Sequence, residues 1–166
     1  FDGKAESQIT AFTDASFASD LDKRRSRTGF VVKGSGGPIG WYSKLQRVTV
    51  DSTAYAEYIA LHSAAKYVVY LRSLKQQLLD QPPPLPTVIF NDNQPALKTA
   101  NSQTSQMKHI EIRFHATRDF ITSGQILTKH KATAELMADL LTKILPKPAT
   151  DRHAKAIMTP LVNEGE

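Results

Sequence analysis

Two short apolar runs that each end on an aspartate constrain this chain more than any other feature. Ile9, Thr10, Ala11 and Phe12 lead to Asp14 and then to the small residues Ala15 and Ser16. Val88, Ile89 and Phe90 lead through Asn91 to Asp92 and Asn93. A buried strand tipped by a carboxylate, with nothing bulky beyond it, leaves the acid at a sheet edge, where α/β folds bind ligands. Two such tips in one chain point to a metal site.

The segments around these runs set their expected geometry. Alternation and turn residues predict strands over residues 8–15, 28–33 and 38–43, joined by a polar loop over 19–27 and a glycine turn over 34–37. Pro38 stands at the start of the third strand, where no ladder donor is missed. Short connections make these three strands an antiparallel meander. A long helix follows, capped by Ser52 or Thr53, with Asp51 adding charge at its positive end. Ala56, Ala60, Ala64, Tyr67, Leu71, Leu74 and Leu78 form its apolar stripe. Glu57 lies beside that stripe within the first two turns.

The proline-rich stretch 81–86 ends the helix as a stiff connector. A strand over 87–91 follows, and a right-handed crossover lays it parallel to the first strand. Asp14 and Asp92 then stand at the same end of neighbouring strands. Next come a short helix over 94–100, a polar loop over 101–108 and a helix over 109–123. The last of these turns Ile110, Phe114 and Ile121 inward and ends with Gly124 at C′. After a strand over 125–130, Thr133 caps a final helix with the stripe Leu136, Met137, Leu140, Leu141 and Ile144, stopped by Pro146 and Pro148. Residues 1–148 read as one domain and 149–166 as a C-terminal tail without a readable pattern.

With no cysteine in 166 residues, there is no disulfide framework and no thiolate ligand, which fits an intracellular protein. Any metal must be held by oxygen or imidazole. No apolar run is long enough to span a membrane, so no membrane partner is expected. The chain begins at Phe1 with no charged-then-apolar leader, and we expect it to be a piece of a longer polypeptide. The net charge of +5 is concentrated at Lys23, Arg24, Arg25 and Arg27, and more loosely at Lys129, Lys131, Lys143 and Lys147. Charge alone leaves two readings open: a phosphate-backbone partner, or a solvated loop.

The candidate site is Asp14, Glu57, Asp92 and Asp139. Clustered carboxylates repel, so a site built from them needs cations, and oxygen-only ligands favour Mg²⁺ or Mn²⁺. Each acid alone has a plainer reading: a turn former, a solvated helix residue, or, for Asp139, an i,i+4 partner of Lys143. The order and setting of the four together carry the argument.

Thr13-Asp14-Ala15; Thr28-Gly29-Phe30 with Trp41-Tyr42-Ser43-Lys44; Ser52 through Tyr58; Asn91-Asp92-Asn93-Gln94; Lys108-His109-Ile110 with Arg113 and His115; and Leu136 through Lys143 occur in this order. Together they resemble the ribonuclease H domain of copia-type LTR retrotransposon polyproteins, over residues 10–146. The resemblance implies an α/β RNase H-like fold, a five-stranded mixed sheet with helices on both faces. It implies an endoribonuclease that cuts the RNA strand of RNA–DNA hybrids during reverse transcription, beside a reverse transcriptase domain, in a cytoplasmic particle. It further implies two Mg²⁺ ions, replaceable by Mn²⁺, held by Asp14, Glu57, Asp92 and Asp139. Asp14 would bridge both ions, Asp139 would serve the water-activating ion, and Glu57 and Asp92 the ion at the leaving 3′ oxygen. The family usually carries glutamate where Tyr55 stands, but Ala56 and Tyr58 set the register on Glu57.

Substrate contacts are expected at Ser16, Arg24, Arg25, Lys44, Asn93, Gln94 and Lys108, with Asn93 and Gln94 at a helix start whose amides suit a phosphate. His130 is a candidate for proton transfer, or else a surface histidine at a strand end. His109 and His115, six apart, do not have the i,i+4 spacing of helical zinc ligands and are expected to pack or hydrogen-bond, with phosphate contact by His109 as the alternative. Trp41 and Tyr42 read as the two sides of a strand rather than a base-stacking platform. Two other classes stay open: a catalytically weak or domesticated module that binds nucleic acid or protein, and an integrase or transposase core that cuts DNA.

Overall fold

The strands follow from alternation, since neighbouring residues of one strand enter different cores. The computed structural model describes residues 8–34, 37–80, 85–102 and 111–159, without the side chains of 111–114. Strands β1 (Thr10–Ser16), β2 (Arg27–Gly34) and β3 (Gly37–Leu45) form the antiparallel meander. Strands β4 (Thr87–Asn91) and β5 (Ile126–His130) run parallel to β1, giving the order β3-β2-β1-β4-β5. The expected five-stranded mixed sheet is therefore present.

Ala11, Phe30, Val32, Ile89 and Ile126 face one core, under α1 (Thr53–Leu79), α2 (Gln94–Asn101) and α3 (Glu111–Thr122). Phe12 and Val31, with Phe90, face a second core that contains Leu136, Met137 and Ala138. The sheet is thus the middle of three layers, and β1 is its central strand.

Ser52 is the N-cap of α1, its hydroxyl accepting from the Tyr55 amide at 3.3 Å. Ala56, Ala60 and Ala64 are fully buried, so the helix lies close to the sheet. The far end of the expected stripe does not reach a core: Leu74 is 37% and Leu78 74% exposed. Length explains this, because 27 residues of helix extend about 40 Å and a seven-residue strand about 23 Å. Arg72 fixes the return to the sheet, donating to the Leu85 carbonyl at 2.7 Å and Thr87 Oγ1 at 3.1 Å. Gly124 ends α3 with φ +69°, as its C′ position requires.

The expected final helix is instead two 3₁₀ turns, Thr133–Glu135 and Met137–Leu141. Leu136, Met137 and Ala138 are consecutive and all buried, whereas a regular helix on a sheet buries only one side. Ile144 is left fully exposed. Thr133 does not cap; its hydroxyl donates to Asp92 Oδ2 at 2.7 Å.

Pro146 and Pro148 open a further helix, α4 (Lys147–Met158), which occupies much of the stretch read as a tail. Proline is accepted there because the first turn needs no amide donors. Ala156 and Ile157 pack on the second core. Lys33 of β2 is buried and donates to the carbonyls of Ala156, at 2.6 Å, and Thr159, so that a cation closes the negative end of α4.

Candidate active site

The pairing of β1 with β4 sets the site. Thr10 lies opposite Val88 and Phe12 opposite Phe90, and the same offset continued sets Asp14 level with Asp92. Glu57 arrives from α1, close to that end of the sheet. Carboxylate oxygens of Asp14, Glu57 and Asp92 all lie within 4.8 Å of one another. Asp14 and Glu57 are buried and Asp92 is half-buried.

Asn91, fully buried, organises this group. Its Nδ2 donates to Glu57 Oε2 at 2.9 Å and to the Thr13 carbonyl at 3.0 Å, while its Oδ1 accepts from the Asn93 amide at 2.9 Å. No sequence signal marks Asn91 as a positioning residue, because Glu57 and Thr13, which its amide holds, lie far away in the chain.

Asp139, expected as the fourth member, reaches Asp14 from the opposite layer and is not part of the tight trio. Lys143 bridges the two, its Nζ lying 3.2 Å from Asp14 Oδ1 and 3.0 Å from Asp139 Oδ1. The Thr142 hydroxyl donates to Asp14 Oδ2. Gly29, opposite Asp14 in the β1–β2 ladder, permits this approach. A Cβ there would stand 2.5 Å from Thr142 Cγ2 and 3.0 Å from Leu141 Cβ. Asp14 is the common member, touched from both layers.

Burial is the first cause that pushes Glu57 up to about 9, with the charges of Asp14 and Asp92 adding and the Asn91 hydrogen bond opposing. Burial and Asp14 likewise push Asp139 up to about 6, against the pull of Lys143. Burial depresses Lys143, but Asp14 and Asp139 outweigh it and raise the ammonium above its ordinary value. An oxygen-only group whose buried acids resist ionisation suits hard divalent cations, which would remove that resistance.

The other expected site residues scatter. Ser16 is half-buried at the tip of β1, and Gln94 is exposed at the first position of α2. The Asn93 side chain caps α2, accepting from the Ala96 amide at 2.9 Å. Arg24 is exposed in a left-handed backbone conformation. Arg25 is held by Asp20 at 3.1 Å, which lowers the Asp20 carboxyl. Lys44 projects over the Tyr42 ring, 5.9 Å from its centroid. His130 is exposed and level with Asn91 in the β4–β5 ladder. Lys108, with His109 and Ile110, lies outside the described residues. Tyr55 packs against the core under α1 and against a smaller cluster of Ala15, Val50, Ala56, Ile59 and Ala60.

No family model matches the chain. It is 34% identical over 148 residues to a retrovirus-related Pol polyprotein from the tobacco (Nicotiana tabacum) transposon TNT 1-94, a match that covers 87% of the chain and 11% of that protein. A polyprotein from the Arabidopsis thaliana transposon RE1 is 34% identical over 154 residues, covering 90% of the chain and 10% of the relative. Among solved structures, the N-terminal RNase H domain of a Mycobacterium tuberculosis protein superposes with a TM-score of 0.58 at 13% identity, covering 90% and 98% of the two chains. LC11-RNase H1 in complex with an RNA/DNA hybrid superposes with a TM-score of 0.59 at 14% identity, covering 89% and 99%. The chain therefore has the RNase H fold and corresponds to one segment, about a tenth by length, of retrovirus-related Pol polyproteins of plant transposons.

Proposed function

We propose that this chain is the ribonuclease H domain of a copia-type retrotransposon polyprotein, which hydrolyses the RNA strand of RNA–DNA hybrids with two Mg²⁺ ions. The observation that carries the reading is the convergence on Asp14 of carboxylates from both layers. Glu57 and Asp92 lie within 4.8 Å of it on one side. Asp139 shares Lys143 with it on the other. Bound there, such ions supply an activated water and charge stabilisation at the leaving oxygen.

The chain's own residues prepare the site. Asn91 orients Glu57, Thr142 holds one oxygen of Asp14, and Thr133 holds one oxygen of Asp92. Ala15 and Ser16 leave room at the strand tip for a scissile phosphate. Lys143 neutralises Asp14 and Asp139 in the metal-free protein and must yield at least one of them to an incoming ion. The transposon relatives support an adjoining reverse transcriptase domain as partner, and a cytoplasmic particle is the setting this reading proposes.

Labelled hybrid incubated with Mg²⁺ tests the proposal, with Asp14→Asn as control. Cleavage by the parent and none by the variant is expected. Equal cleavage by both would sink the proposal, and an inert parent that nevertheless binds hybrid would favour the non-catalytic binding module instead.

A further inference from the structure

Between α1 and the β2–β3 edge of the sheet lies a groove of about 490 Å³. Aromatic rings run along it. Phe30 stacks on Tyr42, with centroids 5.2 Å apart and planes 5° apart, and meets Tyr67 at 5.4 Å. Tyr67 in turn meets Tyr70 at 6.3 Å. Tyr42 and Tyr67 are half-buried, whereas Tyr70 is 59% exposed. The rings thus grade from the core out to solvent.

Charge in the groove has one sign. Lys44, Arg47 and Lys66 line it and are exposed, and no aspartate or glutamate lines it among the described residues. Gln46 also lines it, though only 5% exposed. Its Nε2 donates to Thr28 Oγ1 at 3.1 Å and the Ala56 carbonyl at 3.0 Å, while its buried Oε1 has no hydrogen-bond partner. Ala56 precedes Glu57, and Thr28 precedes Gly29, the ladder partner of Asp14. Gln46 therefore ties the groove to the residues that precede Gly29 and Glu57 in the chain.

Partly exposed rings beside exposed cations suit a polyanion that carries planar groups. We propose that the groove binds a single-stranded nucleic-acid segment that continues from a hybrid held at Asp14. Bases stack on Tyr67 and Tyr70, and phosphates meet Lys44, Arg47 and Lys66. A paired duplex fits less well, because its base faces are already stacked. The inference rests on the hybrid-cleaving reading for its substrate.

Fluorescence anisotropy tests it, in an Asp14→Asn background so that nothing is cut. The probes are a blunt hybrid, the same hybrid extended on either strand by about six nucleotides, and the bare extension oligonucleotide. One extended hybrid is expected to bind about tenfold tighter than the blunt one. The double variant Lys66→Ala/Tyr70→Ala is expected to lose that gain and bind blunt hybrid unchanged, while Tyr70→Trp keeps the gain. Equal affinity for blunt and extended hybrids, or a gain that survives the double variant, overturns the inference. So does a polyglutamate peptide that displaces the oligonucleotide at equal concentration. Bare oligonucleotide bound through Tyr70, with no binding of blunt hybrid, supports the groove and instead sinks the hybrid reading.

Discussion

The Asn91 amide donates to Glu57 Oε2 at 2.9 Å and to the Thr13 carbonyl at 3.0 Å, so one buried side chain locks α1 to the paired strands beneath it. Asn91→Leu leaves Glu57, the Thr13 carbonyl and the Asn93 amide short of a partner. We expect a stability loss of about 2–4 kcal/mol in urea denaturation. Hybrid cleavage should fall far more than the small unfolded fraction accounts for. A variant that cleaves at the parental rate removes Asn91 from the site.

Gly29→Ala tests the docking of the Met137–Leu141 turn on the sheet. The added methyl meets Thr142 Cγ2 at 2.5 Å and the Ala138 carbonyl at 3.2 Å, mostly atoms the turn cannot move independently. The expected cost is about 1–3 kcal/mol. Asp139 should shift away from Asp14, so divalent-ion affinity measured by calorimetry should drop as well. Unchanged affinity and stability would show that the turn is free to slide.

Lys143→Met removes the cation between Asp14 and Asp139. The metal-free variant should melt at lower temperature than the parent, because two buried carboxylates then face each other uncompensated. Saturating Mn²⁺ should stabilise the variant more than the parent, since an ion no longer competes with the ammonium. Identical melting shifts on adding Mn²⁺ would contradict this.

The raised carboxyls fix the direction of the pH dependence. Without metal, folded Glu57 keeps its proton up to about 9, while the unfolded chain loses it near the ordinary value of 4.5. Asp139 behaves likewise between 3.8 and about 6. The unfolded state thus sheds protons first, and metal-free stability falls as pH rises through this window. Thermal melts in chelator from pH 5 to 9 should show the decline, and Glu57→Gln should flatten most of it. Ion affinity should move the opposite way and rise with pH, because binding displaces the same protons.

The sheet and the trio of acids were legible because their signals are local. An apolar run ending on an acid marks Asp14 and again Asp92, and helix position alone brings Glu57 to the sheet edge. Lys143 was visible as a neighbour of Asp139, but its bridge to Asp14 was not, since that contact crosses most of the chain. Thr142, Gly29 and Asn91 were hidden for the same reason. The turns after β5 were misread because Leu136 and Met137 suit a helix as well as a 3₁₀ turn. The helix α4 was missed because Pro146 and Pro148 end one element and begin another with identical residues. Lys33 gave no hint that a lysine in a strand would be buried against that helix.

The placement of β1 between two cores has a consequence for assembly. Asp14 meets Glu57 only when α1 is docked, and meets Asp139 only when the opposite layer is docked as well. A partly folded chain with one layer in place therefore presents only part of the acid cluster. Ion affinity becomes a gauge of complete tertiary structure, and any chemistry that depends on bound ions waits for the last layer to close.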